Sequence, residues 1–482
     1  MYLRNYILLG VVCMVIMACT TPEQPDQPTI DTYPELVAAC QHIEGGGASA
    51  TGGDGGAIYR VTRLDDADDP NTGLPQAGTL RYAVNQVGVR RVLFTVSGTI
   101  HLNSELRIKT GSITIDGQSA PGDGICIADY PLIINASNVI VRFVRCRLGD
   151  VSNTEADAVT VNNATGVVLD HLSCSWSVDE CVSCYGNTNF TMQYCIVSES
   201  LKESVHDKGS HGYGGIWGGT NATFHHNLLA HHDSRNPRFD HDYVNAICAG
   251  PIDFVNNVVY NWGGNSAYGG EGTNKGAGGR HINFVNNYYK PGLSTKSGVK
   301  TRLLNPTTKC NDFCAKTVGG TVEPAKFYLT GNYMHGSESV TADNWTGVYP
   351  DESAKKEQCK VDTRWTEGLT ALKNEQTAEA AYETVLNKAG CSLHRDAVDT
   401  RIINNVKNGT GSLINTQTDV GGWPELQSAT READTDYDGI PDEWEERYGL
   451  NPNNMLDAAA ITLVTGHTNL DVYLNSIVAH LY

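Results

Sequence analysis

Ile252-Asp-Phe-Val-Asn-Asn-Val-Val-Tyr-Asn-Trp262 and Ile282-Asn-Phe-Val-Asn-Asn-Tyr-Tyr-Lys290 are near copies of each other, 30 residues apart. The pattern extends in both directions. Upstream lie VIVRFVRCRLGD from Val139, VVLDHLSCSWS from Val167, FTMQYCIVS from Phe190 and ATFHHNLLAHH from Ala222; downstream lies FYLTGNYMHG from Phe327. Aligned on their strands, one column reads Cys146, Cys174, Cys195, Asn227, Asn257, Asn287, Asn332, with spacings of 28, 21, 32, 30, 30 and 45. A coil of short strands joined by turns needs about 20 to 30 residues, and longer coils carry insertions on one face. An Asn repeated at a turn can bond the coils above and below, and a Cys suits the same column as a small buried side chain. This pattern predicts a parallel β-helix. A sandwich of hairpins would place Asn-Gly or Asp-Gly turns between alternating strands, and few occur here.

A solenoid grows by stacking repeats, so 482 residues need not mean several domains. The 50 glycines and 9 phenylalanines suit turns and strands better than long helices. Such a stack needs capped ends. Pro34 to Ile43, with Leu36, Val37, Cys40 and Ile43 at helical spacing, is read as an N-terminal capping helix. The expected divisions are a β-helix over residues 34–345, a polar wrap over 346–430 with a helical patch at Ala378 to Leu386, and a small appendix over 431–482.

The first residues read as an export signal, 1–18, with Arg4 ahead of an apolar run from Ile7 to Met17. Ile16-Met17-Ala18-Cys19 has the form of a bacterial lipobox, and 19–33 is a Pro-, Gln- and Thr-rich tether. The expectation is an exported protein, lipid-anchored through Cys19 to the outer membrane or secreted, touching membrane only through that anchor and acting as a monomer. Of 14 cysteines, 12 lie in the body, and several are expected to stack inside as thiols. The formal net charge of −19 disfavours nucleic acid as a partner and makes a polyanionic substrate possible only where cations reverse the sign locally.

Three local features carry chemistry. Ser234-Arg235-Asn236-Pro237-Arg238 places two arginines around a proline just past a strand, a turn suited to gripping a carboxylate. Glu155-Ala156-Asp157 and Asp179-Glu180 fall on successive coils, and their hard oxygens suit Ca²⁺. Lys202 lies between them in the chain. In the appendix, Asp434-Thr-Asp436-Tyr-Asp438-Gly439-Ile-Pro-Asp442-Glu-Trp-Glu445 satisfies D-x-D-x-D-G-x₅-E, which marks Asp434, Asp436, Asp438, Asp442 and Glu445 as an EF-hand-like calcium loop. The tail TNLDVYLNSIVAHL reads as an amphipathic helix packing back on the body.

The chain also resembles the pectate lyases of polysaccharide lyase family 1, from about Glu35 to Trp423. The resemblance rests on EGGGASATGGDGGAIYRVTRL, GTLRYAV, RRVLFTVSGTI and ITIDGQSAPGDGI at the entry, ADAVTV with VVLDHLSCSWS, and ATFHHN followed by SRNPRF. It implies a single-stranded, right-handed parallel β-helix that cleaves polygalacturonate by β-elimination with Ca²⁺, giving 4,5-unsaturated oligogalacturonates. It further implies Arg235 as the base at C5, Lys202 on the substrate carboxylate with Lys208 as its substitute, and Glu155, Asp157 and Asp179 as calcium ligands. Two departures stand out. The family's second arginine position is Asp240 here, so Arg238 must serve through a shortened turn; the fourth acidic calcium position is Ser183, leaving Glu180 or other oxygens to complete the shell. Alternatives are a pectin lyase acting on methyl-esterified polymer and a non-catalytic carbohydrate-binding β-helix. His171 with Asp170, and the pairs His225-His226 and His231-His232, are read as structural.

Overall fold

The computed structural model describes residues 30–240, 250–272, 280–309 and 324–482. Its strands wind into three parallel sheets of 10, 8 and 9 strands, each ordered by successive coils. All named strand pairs are parallel, and the sheets enclose one continuous apolar interior. Strands of only two to six residues suffice, because each coil bonds the coils above and below it.

The turn column repeats the expected ladder. Asn257 Oδ1 accepts from Asn227 N–H and Nδ2, Asn287 does the same for Asn257, and Asn332 for Asn287. Asn344, from the turn Asn344–Gly347, closes the stack beneath Asn332. Each rung satisfies buried donors that would otherwise cost about 1–3 kcal/mol. The residue before each rung, His226, Asn256 and Asn286, takes φ of 53–57°, as Phe143, His171 and Tyr194 do at 49–54° on earlier coils. Their side chains therefore emerge in line, and Phe143, His171, Tyr194 and His226 stack ring on ring at 4.6–5.0 Å.

One register differs from the sequence alignment. Cys195 does precede the asparagines, since its N–H donates to Asn227 Oδ1. Cys146 and Cys174, however, pair with each other and with Val197, two residues further along the coil. Leu172 occupies the place in line with Cys195. The shift escapes detection in sequence because a two-residue slip keeps a side chain on the same face. All nine described cysteines are free thiols, and eight of them are buried.

The entry run Glu44–Gly56 lies against the outside of the 10-stranded sheet. Gly46, Gly47 and Gly53 donate to the hydroxyls of Thr223, Thr191 and Thr114. A Cβ at Gly46 would collide with the Asn221 carbonyl and one at Gly53 with that of Arg90, which is why the run is glycine-rich. The helix Pro34–Ala39 forms, and its buried Leu36 packs with Leu463, Val464 and Val472 of the C-terminal segment. A second helix, Leu80–Asn85, inserts Leu80, Ala83 and Val84 into the apolar interior beside Val61 and Val92.

Outside the 9-stranded sheet, Ile196, Leu228, Val258 and Tyr288 point away from the interior, yet all are buried. Two helices cover them: Ala378–Lys388, where the patch was expected, and Ala397–Asn408, N-capped by Asp396. The tail forms the helix Asn469–Val478, whose Leu470 and Leu474 pack on Leu93. Among the described residues no helix is long and apolar enough to cross a membrane. The export segment and Cys19 lie outside the described residues.

Candidate active site

The 8-stranded sheet turns one column of side chains outward, away from the apolar interior. Its registers align Arg107, Ile133, Thr160, Ser183, Ile216, Arg238, Tyr268 and Asn305 on successive coils, while Val159, Val182, Trp217 and Phe239 fill the interior. A groove of about 510 Å³ lies on this face. Ile133, Thr160, Ser183 and Ile216 floor it, with Tyr130, Tyr185 and the acidic residues around them.

The acids enter from the turn just before the sheet. Val159 pairs with Val182, so Asp157 and Glu180 fall in the same column one coil apart, and the Glu180 N–H donates to Asp157 Oδ1 at 3.1 Å. Thr160 Oγ1 donates to Asp157 Oδ2. Oxygens of Asp157, Asp179 and Glu180 lie within 4.8 Å of one another. Burial and the neighbouring Asp179 push the Asp157 carboxyl up to about 7. Three converging hard-oxygen donors fit Ca²⁺. Ser183, at the expected fourth acidic position, lines the groove below them.

Glu155 departs from expectation. Its carboxylate stands 3.0 Å from His206 Nε2 and accepts from the Asp207 N–H, outside the three-carboxylate group. The cause is the insertion between the strands Ile196–Ser198 and Ile216–Trp217, which brings His206 and His211 to this edge. Their rings stack at 3.4 Å, and both nitrogens approach Asp179. The insertion that carries Lys208 breaks the repeat pattern, so comparison between coils does not specify where His206 and His211 fall.

Arg235 lies three coils beyond the Asp157 coil and two beyond Glu180. Tyr213 bridges to Glu180 on one side and to Ser234 on the other, extending the column to the arginine turn. Arg235 adopts φ of 59°, costly for a residue with a side chain. Its carbonyl accepts from Gly215 N–H, and a Cβ on Gly214 would collide with that carbonyl. The guanidinium lies 4.4 Å over the Tyr213 ring and ion-pairs with Glu180. Tyr213 thus joins the site as a platform that the irregular insertion concealed.

Arg238 opens the short strand Arg238–Phe239, with its side chain in the groove column. It ion-pairs with buried Glu271 and lies over Tyr268, so a protein carboxylate is already attached to it. Lys202 is anchored by its backbone to Ile414 and His211, and its ammonium stands 3.5 Å from Asp233 at the same edge as Arg235. Lys208 is exposed on the insertion, its N–H bonded to His206 Nδ1. The histidines read as structural are buried: Asp170 binds Arg142 and His171, and burial holds His226, His231 and His232 down to about 4.

A second acidic group lies in the appendix. Asp434, Asp436 and Asp438 converge, and Asp438 converges again with Glu445 and Asp457. Burial and the neighbouring acids push Asp438 up to about 7 and Glu445 up to about 8. Asp442 is not part of either group. It opens the helix Asp442–Tyr448 and accepts from the Thr435 N–H and hydroxyl, which hold its carboxyl low. Asp457, beyond the motif, lies with Asp438 and Glu445.

No protein-family model matches the chain. It is 33% identical over 452 residues to a probable pectate lyase C of Aspergillus terreus, covering 91% of this chain and 94% of that one. It is likewise 33% identical over 448 residues to a probable pectate lyase C of Emericella nidulans, covering 91% and 92%. Among solved structures, a pectate lyase from Bacillus sp. N165 in complex with trigalacturonate aligns with a TM-score of 0.44 and 15% identity over 72% of this chain and 98% of that one. The protein is an enzyme of the polysaccharide lyase class. Within that class the chain belongs to the pectate lyase family.

Proposed function

We propose that the protein cleaves polygalacturonate by β-elimination in the groove of the 8-stranded sheet. The observation that carries the reading is the convergence of Asp157, Asp179 and Glu180, with Arg235 reaching Glu180 across the intervening Tyr213 coil. The bond broken is C4–O4. A proton leaves C5, C4=C5 forms, and the departing oxygen takes up a proton. C5–H lies α to an ionised carboxylate and is poorly acidic until that charge is offset. Ca²⁺ held by Asp157, Asp179 and Glu180 would offset it and draw electron density from C5.

The chain's own residues supply the rest. Lys202, at the Arg235 edge, is assigned to the substrate carboxylate, which would replace Asp233 as its partner. Arg238 is assigned to binding a neighbouring uronate, its fork steadied by Glu271 and Tyr268. Arg235 is assigned the C5 proton, taken directly or through a hydroxide that it holds. A guanidinium normally keeps its protons, and that of Arg235 is engaged by Glu180, so Arg235 must turn from Glu180 to the sugar before it acts. Tyr213 gives it a surface to turn on.

The test is absorbance of the unsaturated product with polygalacturonate, with and without chelator. Activity is expected only with Ca²⁺; full turnover after exhaustive chelation, or saturated products, would overturn the reading. Monomeric action, export and lipidation of Cys19 belong to the same proposal and rest on the sequence pattern. Cys19→Ala should abolish labelling by a fatty-acid probe and release the enzyme from the membrane fraction. Unchanged labelling would remove the anchor from this account.

A further inference from the structure

Glu445 is fully shielded from solvent, and neither of its carboxylate oxygens has a hydrogen-bond partner. Around it, other oxygens are left over in the same way. Asp438, 2% exposed, gives Oδ1 to the Ile440 N–H and leaves Oδ2 without a donor. Asp436 gives Oδ1 to the Asp438 N–H, Asp457 gives Oδ2 to the Asn451 N–H, and the second oxygen of each lacks a partner. A buried carboxylate without a donor is costly, and several facing one another are costlier. Their oxygens lie within 4.8 Å in two groups that share Asp438. Hard oxygens in this number suit Ca²⁺, with the Glu445 pair placed to bind through both atoms. The motif's ninth position would instead assign Asp442, which lies outside both groups and accepts from Thr435, whereas Asp434, though it accepts from Asp438, Gly439 and Arg431, stands within the first group.

We propose that Asp434, Asp436, Asp438 and Glu445 bind a Ca²⁺ ion together with Asp457, which reaches in from a separate turn and replaces Asp442. The ion ties the loop 434–445 to the turn 451–457. It also fastens both to the start of the β-helix. Arg60, in the strand Ala57–Val61, donates to the Tyr437 carbonyl at 2.5 Å, and Ile440 packs in a cluster with Leu93. The site is separate from the groove and does not depend on how the groove acts.

The experiment is calorimetric Ca²⁺ titration and thermal melting of the full chain, comparing wild type with Asp457→Asn, Glu445→Gln, Asp442→Asn and Asp157→Asn. Asp457→Asn and Glu445→Gln should weaken one class of site at least about tenfold and reduce the Ca²⁺-induced rise in melting temperature. Asp442→Asn should leave that class within about twofold, and Asp157→Asn should retain it whether or not the groove binds the ion. Weakening by Asp442→Asn with none by Asp457→Asn would return the ion to the motif's ninth position. Isotherms unchanged in both Asp457→Asn and Glu445→Gln would remove the site altogether. If Glu445→Gln does not fold, Asp457→Asn, on a partly exposed turn, decides alone.

Discussion

In the groove, Glu180 faces the Arg235 guanidinium, while Glu155 and Asp179 face His206 and His211. In the C-terminal loop, Asp436, Asp438, Glu445 and Asp457 face one another with oxygens that accept nothing. Both regions are acidic, but in the loop the cations Arg431 and Arg60 stand beside Asp434 alone, at 2.8 and 4.0 Å. A cluster that exchanges partners suits substrate turnover, since a protein cation can be released to a sugar carboxylate and recovered afterwards. A cluster whose innermost members, Asp438 and Glu445, are buried with oxygens that accept nothing suits an ion held for the life of the fold.

The comparison breaks most visibly at Arg235. Arg235→Lys keeps the charge but loses the planar fork and the reach over Tyr213. It should fold and bind oligogalacturonate while kcat falls on the order of 10²-fold or more, the scale of a removed acid–base group. Steady-state kinetics with calorimetric binding as the control would show it. Near-normal kcat would mean the wrong arginine has been assigned.

The next effect is on stability and sharpens the other side. Without cation, Asp157 and Asp438 at about 7 and Glu445 at about 8 hold protons more tightly folded than unfolded, where carboxyls titrate near 4. The folded state therefore binds more protons between these values, and stability declines as pH rises through that window. In chelator, the melting midpoint should drop on the order of 5 °C between pH 5 and pH 8. Saturating Ca²⁺ should flatten the slope, and Glu445→Gln should flatten part of it without Ca²⁺. A midpoint in chelator that rises over the same window would show that these carboxyls are not held protonated in the fold.

Where the sequence was readable, and where it was not, follows the same divide. The asparagine ladder was legible because each rung makes the same bonds on every coil, so the residue itself repeats. Asp157, Glu180 and Arg235 could be placed because they flank regular strands. Glu155, Tyr213, His206 and His211 meet only through the insertion after Ser198, whose path no repeat specifies. Asp457 was hidden for a related reason. A linear motif counts positions along one loop, and this group draws a member from the next turn. Cys146 and Cys174 were misplaced by two residues because sheet periodicity tells faces apart, not positions along a face.

The smallest effect is expected at Arg238, and it tests how far the groove's exchange of partners extends. Arg238 already pairs with Glu271, whose side chain is 1% exposed, and lies 5.5 Å over Tyr268. A guanidinium held in this way can offer remaining donors to a uronate in the ground state and in the transition state alike, which gives uniform binding. Arg238→Lys should therefore raise KM by less than about tenfold and leave kcat nearly unchanged. Glu271→Gln supplies the complementary measurement. If Glu271 serves to steady the fork, its loss should raise KM in the same direction, and Arg238→Lys made in that background should add little. A large fall in kcat in Arg238→Lys, exceeding that of Arg235→Lys, would place the proton transfer at the strand instead of the turn. The groove would then divide its labour between the two arginines in the opposite order.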